Sequence, residues 1–123
     1  MTRGAEPAER FRRLCLALPE AFEQETWGSA TYRVRGRIFA IQGGAADGAT
    51  MSCKSPPGVR DAMVEGEPAR FYVPPYVGPK GWIGVRLSGE VDWDEVADLI
   101  EWSYRATAPK RVAARLDAAG GQG

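Results

Sequence analysis

Apolar residues recur at helical spacing at Phe11, Leu14, Cys15 and Leu18, which predicts a first helix over residues 7–18. Pro7 suits its first turn, and Pro19 ends it, because the residue before a proline is pushed out of the helical region. Residues 21–30 show no such period and read as a connector. Alternation then begins: Thr31-Tyr32-Arg33-Val34-Arg35 and Arg37-Ile38-Phe39-Ala40-Ile41 flank Gly36 and predict a hairpin, with Tyr32, Val34, Ile38 and Ala40 sharing a face. Residues 42–49 are a Gly/Ala-rich turn. Residues 50–55 form a strand with Met51 and Cys53 on one side and Ser52 and Lys54 on the other. Pro56-Pro57 stops it, and a short helix follows over 58–65.

Residues 71–73 are extended, but Pro74 and Pro75 cannot donate to a sheet ladder, which places this piece at an edge or outside the sheet. After a Gly78-Pro79-Lys80-Gly81 turn, residues 82–87 alternate as a strand: Trp82, Gly84 and Arg86 against Ile83, Val85 and Leu87. A long helix runs over 92–106 with inner stripe Val96, Leu99, Ile100 and Ser103. Asp92 and Glu95 form a capping-box-like pair. Pro109 interrupts it, and residues 110–116 add one more turn. The ends, residues 1–5 and the Gly-rich tail, are read as flexible. The order α-β-β-β-α-β-β-α contains no βαβ repeat, so the expected fold is α+β: two layers, an antiparallel sheet covered on one face by helices. One domain with a core over about residues 7–116 fits the 123-residue length.

Composition narrows the chemistry. There is no histidine, which removes His-based triads, His proton shuttles and the commonest metal-ligand sets. No serine sits in a nucleophile elbow, and no phosphate-cradling loop precedes a helix. Cys15 and Cys53 fall in apolar patterns and read as reduced, buried thiols. The carboxylates Asp92, Asp94, Glu95, Asp98 and Glu101 are explained by an exposed helix turn rather than a metal site. The expectation is a non-enzymatic protein with no cofactor and no metal. No apolar run reaches the roughly 18 residues a spanning helix needs, and the N-terminus has no signal-type apolar stretch, so a cytoplasmic protein is expected.

Formal charge is balanced but unevenly spread. Between Thr31 and Arg86 eight cations face only four anions, whereas from Glu90 to Glu101 six carboxylates meet no cation. Arg33, Arg35, Arg37, Lys54, Lys80 and Arg86 are therefore the candidate nucleic-acid contacts, with Tyr76 and Trp82 as candidate aromatic contacts. Arginine on a hairpin meets phosphates, and an aromatic ring stacks on a base.

Leu18-Pro19, Trp27-Gly28, Phe39-Ala40, Ser52-Cys53-Lys54, Lys80-Gly81-Trp82-Ile83-Gly84-Val85 and Ser103-Tyr104 occur in the order found in the MmcQ/YjbR-like family, which the chain resembles over roughly residues 11–115. The resemblance implies a small α/β domain with a topology compared with frataxin and secretion chaperones. It also implies DNA binding through a double wing of β-hairpins. Here the wings would be residues 32–41 and 72–87. Duplex DNA is then the expected partner, of a monomer or weak dimer. The alternative is a small-molecule or protein-binding module with an aromatic cleft of Trp27, Tyr72, Tyr76 and Trp82. No membrane partner is expected.

Overall fold

The computed structural model describes residues 7–26, 28–43 and 50–120. The elements follow as α1 (Pro7–Leu16), β1 (Phe22–Thr26), β2 (Ser29–Val34), β3 (Arg37–Gly43), β4 (Thr50–Lys54), α2 (Val59–Gly66), β5 (Phe71–Tyr72), β6 (Trp82–Arg86), α3 (Trp93–Thr107) and α4 (Lys110–Gly120), with a single 3-10 turn at Gly78–Lys80. The expected frayed ends and the centre of the 42–49 turn lie outside the described residues, as does Trp27.

The six strands form one antiparallel open sheet in the order β1-β2-β3-β4-β6-β5. Two elements differ from the sequence expectation. Residues 22–26, read as connector, form the edge strand β1, and the extra turn after Pro109 is a full helix, α4. β1 escapes pattern reading because four of its five residues are exposed, so neither face carries an apolar imprint.

Strand alternation assigns the two faces. Tyr32, Val34, Ala40, Met51, Cys53, Phe71, Ile83 and Val85 all point to one side, where they form a single buried cluster with Phe11 and Cys15 of α1, Leu99, Ile100 and Tyr104 of α3, and Val112 of α4. Met63 and Val64 of α2 pack against the same cluster. All four helices therefore serve one face. Phe11 meets Tyr32, and Phe39 meets Tyr104, as edge-to-face ring pairs with centroids 5.3 and 5.4 Å apart.

The β2–β3 register shifts by one residue: Tyr32 pairs with Ala40, but Arg33 pairs with Ile38. Phe39 is the extra residue of a bulge, and both Phe39 and Ala40 enter the core with no exposure. Ile38, expected beside Ala40, is thereby turned to the opposite face. The bulge interrupts the ladder toward β4, and Ser103 of α3 repairs it. Its buried hydroxyl donates to the Phe39 carbonyl at 2.6 Å and accepts from the Lys54 N–H at 2.9 Å. One hydroxyl thus satisfies two backbone groups that would otherwise be orphaned beneath a helix.

Asp92 caps α3, accepting from the Glu95 N–H at 3.2 Å as its sequence position predicts. Among the described residues no helix is long and apolar enough to cross a membrane.

Candidate nucleic-acid interface

The face without helices carries the polar set. The strand positions that point there are Phe22, Gln24, Thr26, Ser29, Thr31 and Arg33 on β1 and β2; Ile38, Ile41 and Gly43 on β3; Thr50, Ser52 and Lys54 on β4; Tyr72 on β5; and Trp82, Gly84 and Arg86 on β6. Three of these side chains are cations and none is a carboxylate. Glu23 and Glu25 alternate to the other side of β1, where Glu23 meets Arg12 of α1 at 2.7 Å.

Arg33 lies on β2 among hydroxyls. Its guanidinium donates to Thr31 Oγ1 at 3.2 Å, Thr26 Oγ1 at 3.0 Å and the Gly36 carbonyl at 3.3 Å. These neutral acceptors orient the group without neutralising it. Lys54 ends β4, half-buried. Burial lowers its pKa, and repulsion from Arg37 adds to the effect. Arg37 and Lys54 thus stand close at one end of the sheet with no ion-pair partner among the described residues. Arg86, exposed on β6, holds its guanidinium 4.7 Å from the Tyr72 ring centroid. The ring in turn lies flat on Gly84: a Cβ built there would meet Tyr72 ring atoms at 2.4–2.7 Å. A glycine on β6 is what lets an aromatic from the edge strand cover the sheet and steady an arginine.

Arg35 behaves differently from its neighbours. Arg35 and Gly36 are the two central residues of the hairpin turn, both with positive φ (53° and 80°), as a type I′ turn requires. The turn sends the Arg35 guanidinium to Glu20, which accepts two hydrogen bonds at 2.6 and 3.2 Å. Glu20 also pairs with Arg115 of α4 at 2.9 Å. The hydrogen bond from Arg35 holds the Glu20 carboxyl below the usual carboxylate range. Of the six cations singled out from the sequence, Arg35 is the one engaged by a carboxylate among the described residues.

The segment between β5 and β6 folds back over the sheet instead of projecting from it. Two prolines and a chain of backbone hydrogen bonds make it rigid: Val77 N–H to the Pro75 carbonyl at 2.7 Å, Gly78 N–H to Pro74 at 2.9 Å and Lys80 N–H to Val77 at 3.0 Å. Arg60 of α2 anchors it by donating to the Gly78 carbonyl at 2.5 Å. Between this segment and the sheet lies a groove of about 730 Å³. Ile41, Thr50 and Ser52 line it from the sheet, and Tyr72, Tyr76 and Lys80 from the edge and the loop.

Tyr76 has its backbone in the left-handed region at φ 68° and is 93% exposed. Its side chain makes no hydrogen bond, ring or charge contact among the described residues. Trp82, the other candidate aromatic contact, is only 6% exposed. It points away from the helix-packed cluster yet is covered, so its ring is not available for stacking. Of the four residues expected to line an aromatic cleft, Tyr72 and Tyr76 do so, Trp82 is not among the groove residues, and Trp27 lies outside the described ones.

The remaining groups with catalytic potential are enclosed. Cys15 and Cys53 are unpaired and fully buried. Burial pushes the Cys53 thiol up to about 12 and the Cys15 thiol higher still. Cys53 Sγ faces the Leu99 carbonyl at 3.7 Å. Glu95, in the acidic stretch of α3, is taken by Arg70. Among the described residues no three acidic, cysteine or histidine side chains converge as a metal site would require.

Comparison with known proteins agrees with this architecture. The fold is similar to that of the crystal structure of Deinococcus radiodurans protein DR2400, described by the family-model domain DUF419. The TM-score is 0.71 at 21% sequence identity, covering 80% of this chain and 78% of that one. No curated protein matches the chain. A family model, YjbR, matches residues 16–106, all six strands of the sheet together with α2 and nearly all of α3. The chain belongs to the YjbR family.

Proposed function

We propose that the protein binds nucleic acid through the helix-free face of its sheet. The observation that carries this reading is the segregation of charge. Arg33, Lys54 and Arg86 point to that face, Lys80 lines its groove and Arg37 stands at its end. None of the five is paired to a carboxylate among the described residues. On the helical side several charges are paired, Arg12 with Glu23, Arg70 with Glu67 and Arg105 with Glu101 and Asp117. An electroneutral protein thus presents one cationic surface, and cations held by hydroxyls, rings and backbone are suited to meeting phosphates.

The test is a titration of labelled duplex DNA at two salt concentrations. Five phosphate contacts correspond to a slope of log K against log salt of about −4.5. Lys54→Glu or Arg86→Glu weakens binding and reduces that slope by at least about 1. Arg35→Gln, which removes a guanidinium already committed to Glu20, leaves it unchanged. Absence of binding to duplex and to single-stranded DNA alike at micromolar protein, or binding insensitive to salt, refutes the proposal.

A small-ligand module is the second reading, and the groove is the observation that favours it. Its volume falls within the range of small-molecule sites, about 300–1,000 Å³. A metabolite that raises the melting temperature saturably, at a concentration where DNA has no effect, selects this reading over the first.

A further inference from the structure

The groove lies within the cationic face, and three observations there go beyond phosphate contact. It is concave, with an uncharged floor: Ile41, Thr50 and Ser52 supply apolar surface and hydroxyls that can donate or accept. Lys80 lines it and is exposed, with no carboxylate partner among the described residues. Tyr76 stands over it on a strained backbone.

The strain is informative because the other two non-glycine residues with positive φ among the described residues explain each other. Glu20 (φ 61°) and Arg35 (φ 53°) are joined by a two-pronged ion pair. Tyr76 has no such compensation. Its ring gains nothing visible from the described residues, yet the prolines and backbone hydrogen bonds around it hold its backbone in this conformation. A ring presented in this way is arranged for something outside the chain.

Duplex DNA cannot use these features. Its phosphates can lie along the cations, but its bases are stacked inside and cannot enter a groove walled by aromatic side chains. A single strand can place an unstacked base there, with its face against Tyr76 and the neighbouring phosphate at Lys80. Tyr72 is fixed between Gly84 and Arg86 and serves as wall. The hydroxyls of Thr50 and Ser52 accept either polarity of hydrogen bond, so they fit a site tolerant of base identity.

We infer that the groove between the sheet and the Pro74–Pro75 loop receives one unstacked base, so that this face selects single-stranded nucleic acid over duplex. The inference rests on the nucleic-acid reading above and names the form of nucleic acid it takes.

Fluorescence anisotropy tests it with a labelled single strand of about a dozen nucleotides, in the range of known single-strand sites, and a hairpin duplex of the same composition. The expected result is a single-strand affinity at least about tenfold above that for the duplex, within what stacking of one base supplies. Tyr76→Gly fits the left-handed backbone and keeps the loop. It should weaken the single strand by about 5- to 150-fold and leave the duplex unchanged, while Tyr76→Trp keeps the preference.

Equal or tighter duplex binding overturns the inference but leaves the nucleic-acid reading standing, as does a Tyr76→Gly effect equal on both probes. A free mononucleotide that displaces the strand at comparable concentration overturns the polymer as occupant. Salt-dependent binding to neither probe overturns both readings.

Discussion

Gly84→Ala is a substitution whose sign should depend on one other residue. The Gly84 φ lies outside the left-handed region, so alanine is allowed by the backbone, and the change would ordinarily strengthen a strand by about 0.5–1 kcal/mol. Here the added Cβ would fall 2.4, 2.5 and 2.7 Å from three atoms of the Tyr72 ring. The ring cannot stay where it is. Tyr72 belongs to a two-residue edge strand and carries Arg86 on its face, so displacing it loses ring-to-backbone contact and the cation–π geometry together. Overpacking of this kind costs about 1–3 kcal/mol. For a domain of this length that lowers the melting temperature by about 3–6 °C per kcal/mol. In a Tyr72→Ala background the three nearest obstructing atoms are gone, and Gly84→Ala should be neutral or mildly stabilising. Urea denaturation of the wild type, both single variants and the double variant closes the cycle. A coupling energy of about 1.5 kcal/mol or more is expected, with unchanged m-values. If Gly84→Ala costs the same with and without the Tyr72 ring, the account of this surface is wrong.

Ser103→Ala should destabilise by about 2–4 kcal/mol, because it strands both the Phe39 carbonyl and the Lys54 N–H in a buried site. A loss below about 0.5 kcal/mol in urea denaturation would show that the bulge is satisfied some other way. Glu20 has its pKa lowered, chiefly by the hydrogen bond from Arg35. Its contribution to stability is therefore complete above the unfolded carboxyl value of about 4.3 and disappears as pH falls through the lower folded value. The melting-temperature difference between wild type and Glu20→Gln should be present at neutral pH and close progressively in acid. A difference that persists or widens at the lowest pH contradicts the assignment.

How much of this was legible in the sequence follows from where each signal resides. The first helix, the β2–β3 hairpin, β4, β6 and the capped α3 each carry their own period and punctuation over a few residues. β1 carries none, because an edge strand exposed on both sides has no buried face to record. The bulge at Phe39 was equally silent. The group that satisfies it, Ser103, lies 64 residues further along, and no local pattern in Arg37-Ile38-Phe39-Ala40 announces it. The bulge turns Ile38 away from Ala40 to the other face, opposite Arg33. The Tyr72–Gly84 stack was half visible: Gly84 in a strand pattern signals close approach, but only the register of β5 on β6 identifies what approaches.

The cations show the same division between local and long-range information. Arg33 and Arg35 are two residues apart in an alternating run, and alternation alone assigns them to one face. The hairpin turn breaks that rule at Arg35, because a residue with positive φ no longer belongs to the pleat. Arg35 instead donates to the Glu20 carboxylate, which it shares with Arg115 of α4. Lys80, separated from Arg33 by 47 positions, joins the same surface because two prolines and a left-handed Tyr76 bend its loop back over the strands. Net charge conceals this rearrangement. The chain totals sixteen cations and sixteen anions, yet among the described strand residues the carboxylates, Glu23 and Glu25, alternate away from the open face. A protein that sums to zero can therefore present a cationic surface without any excess of basic residues, provided the sheet sorts the signs. The sorting depends on register: a slip of one residue in β1 would turn Glu23 and Glu25 onto the face that now carries Arg33.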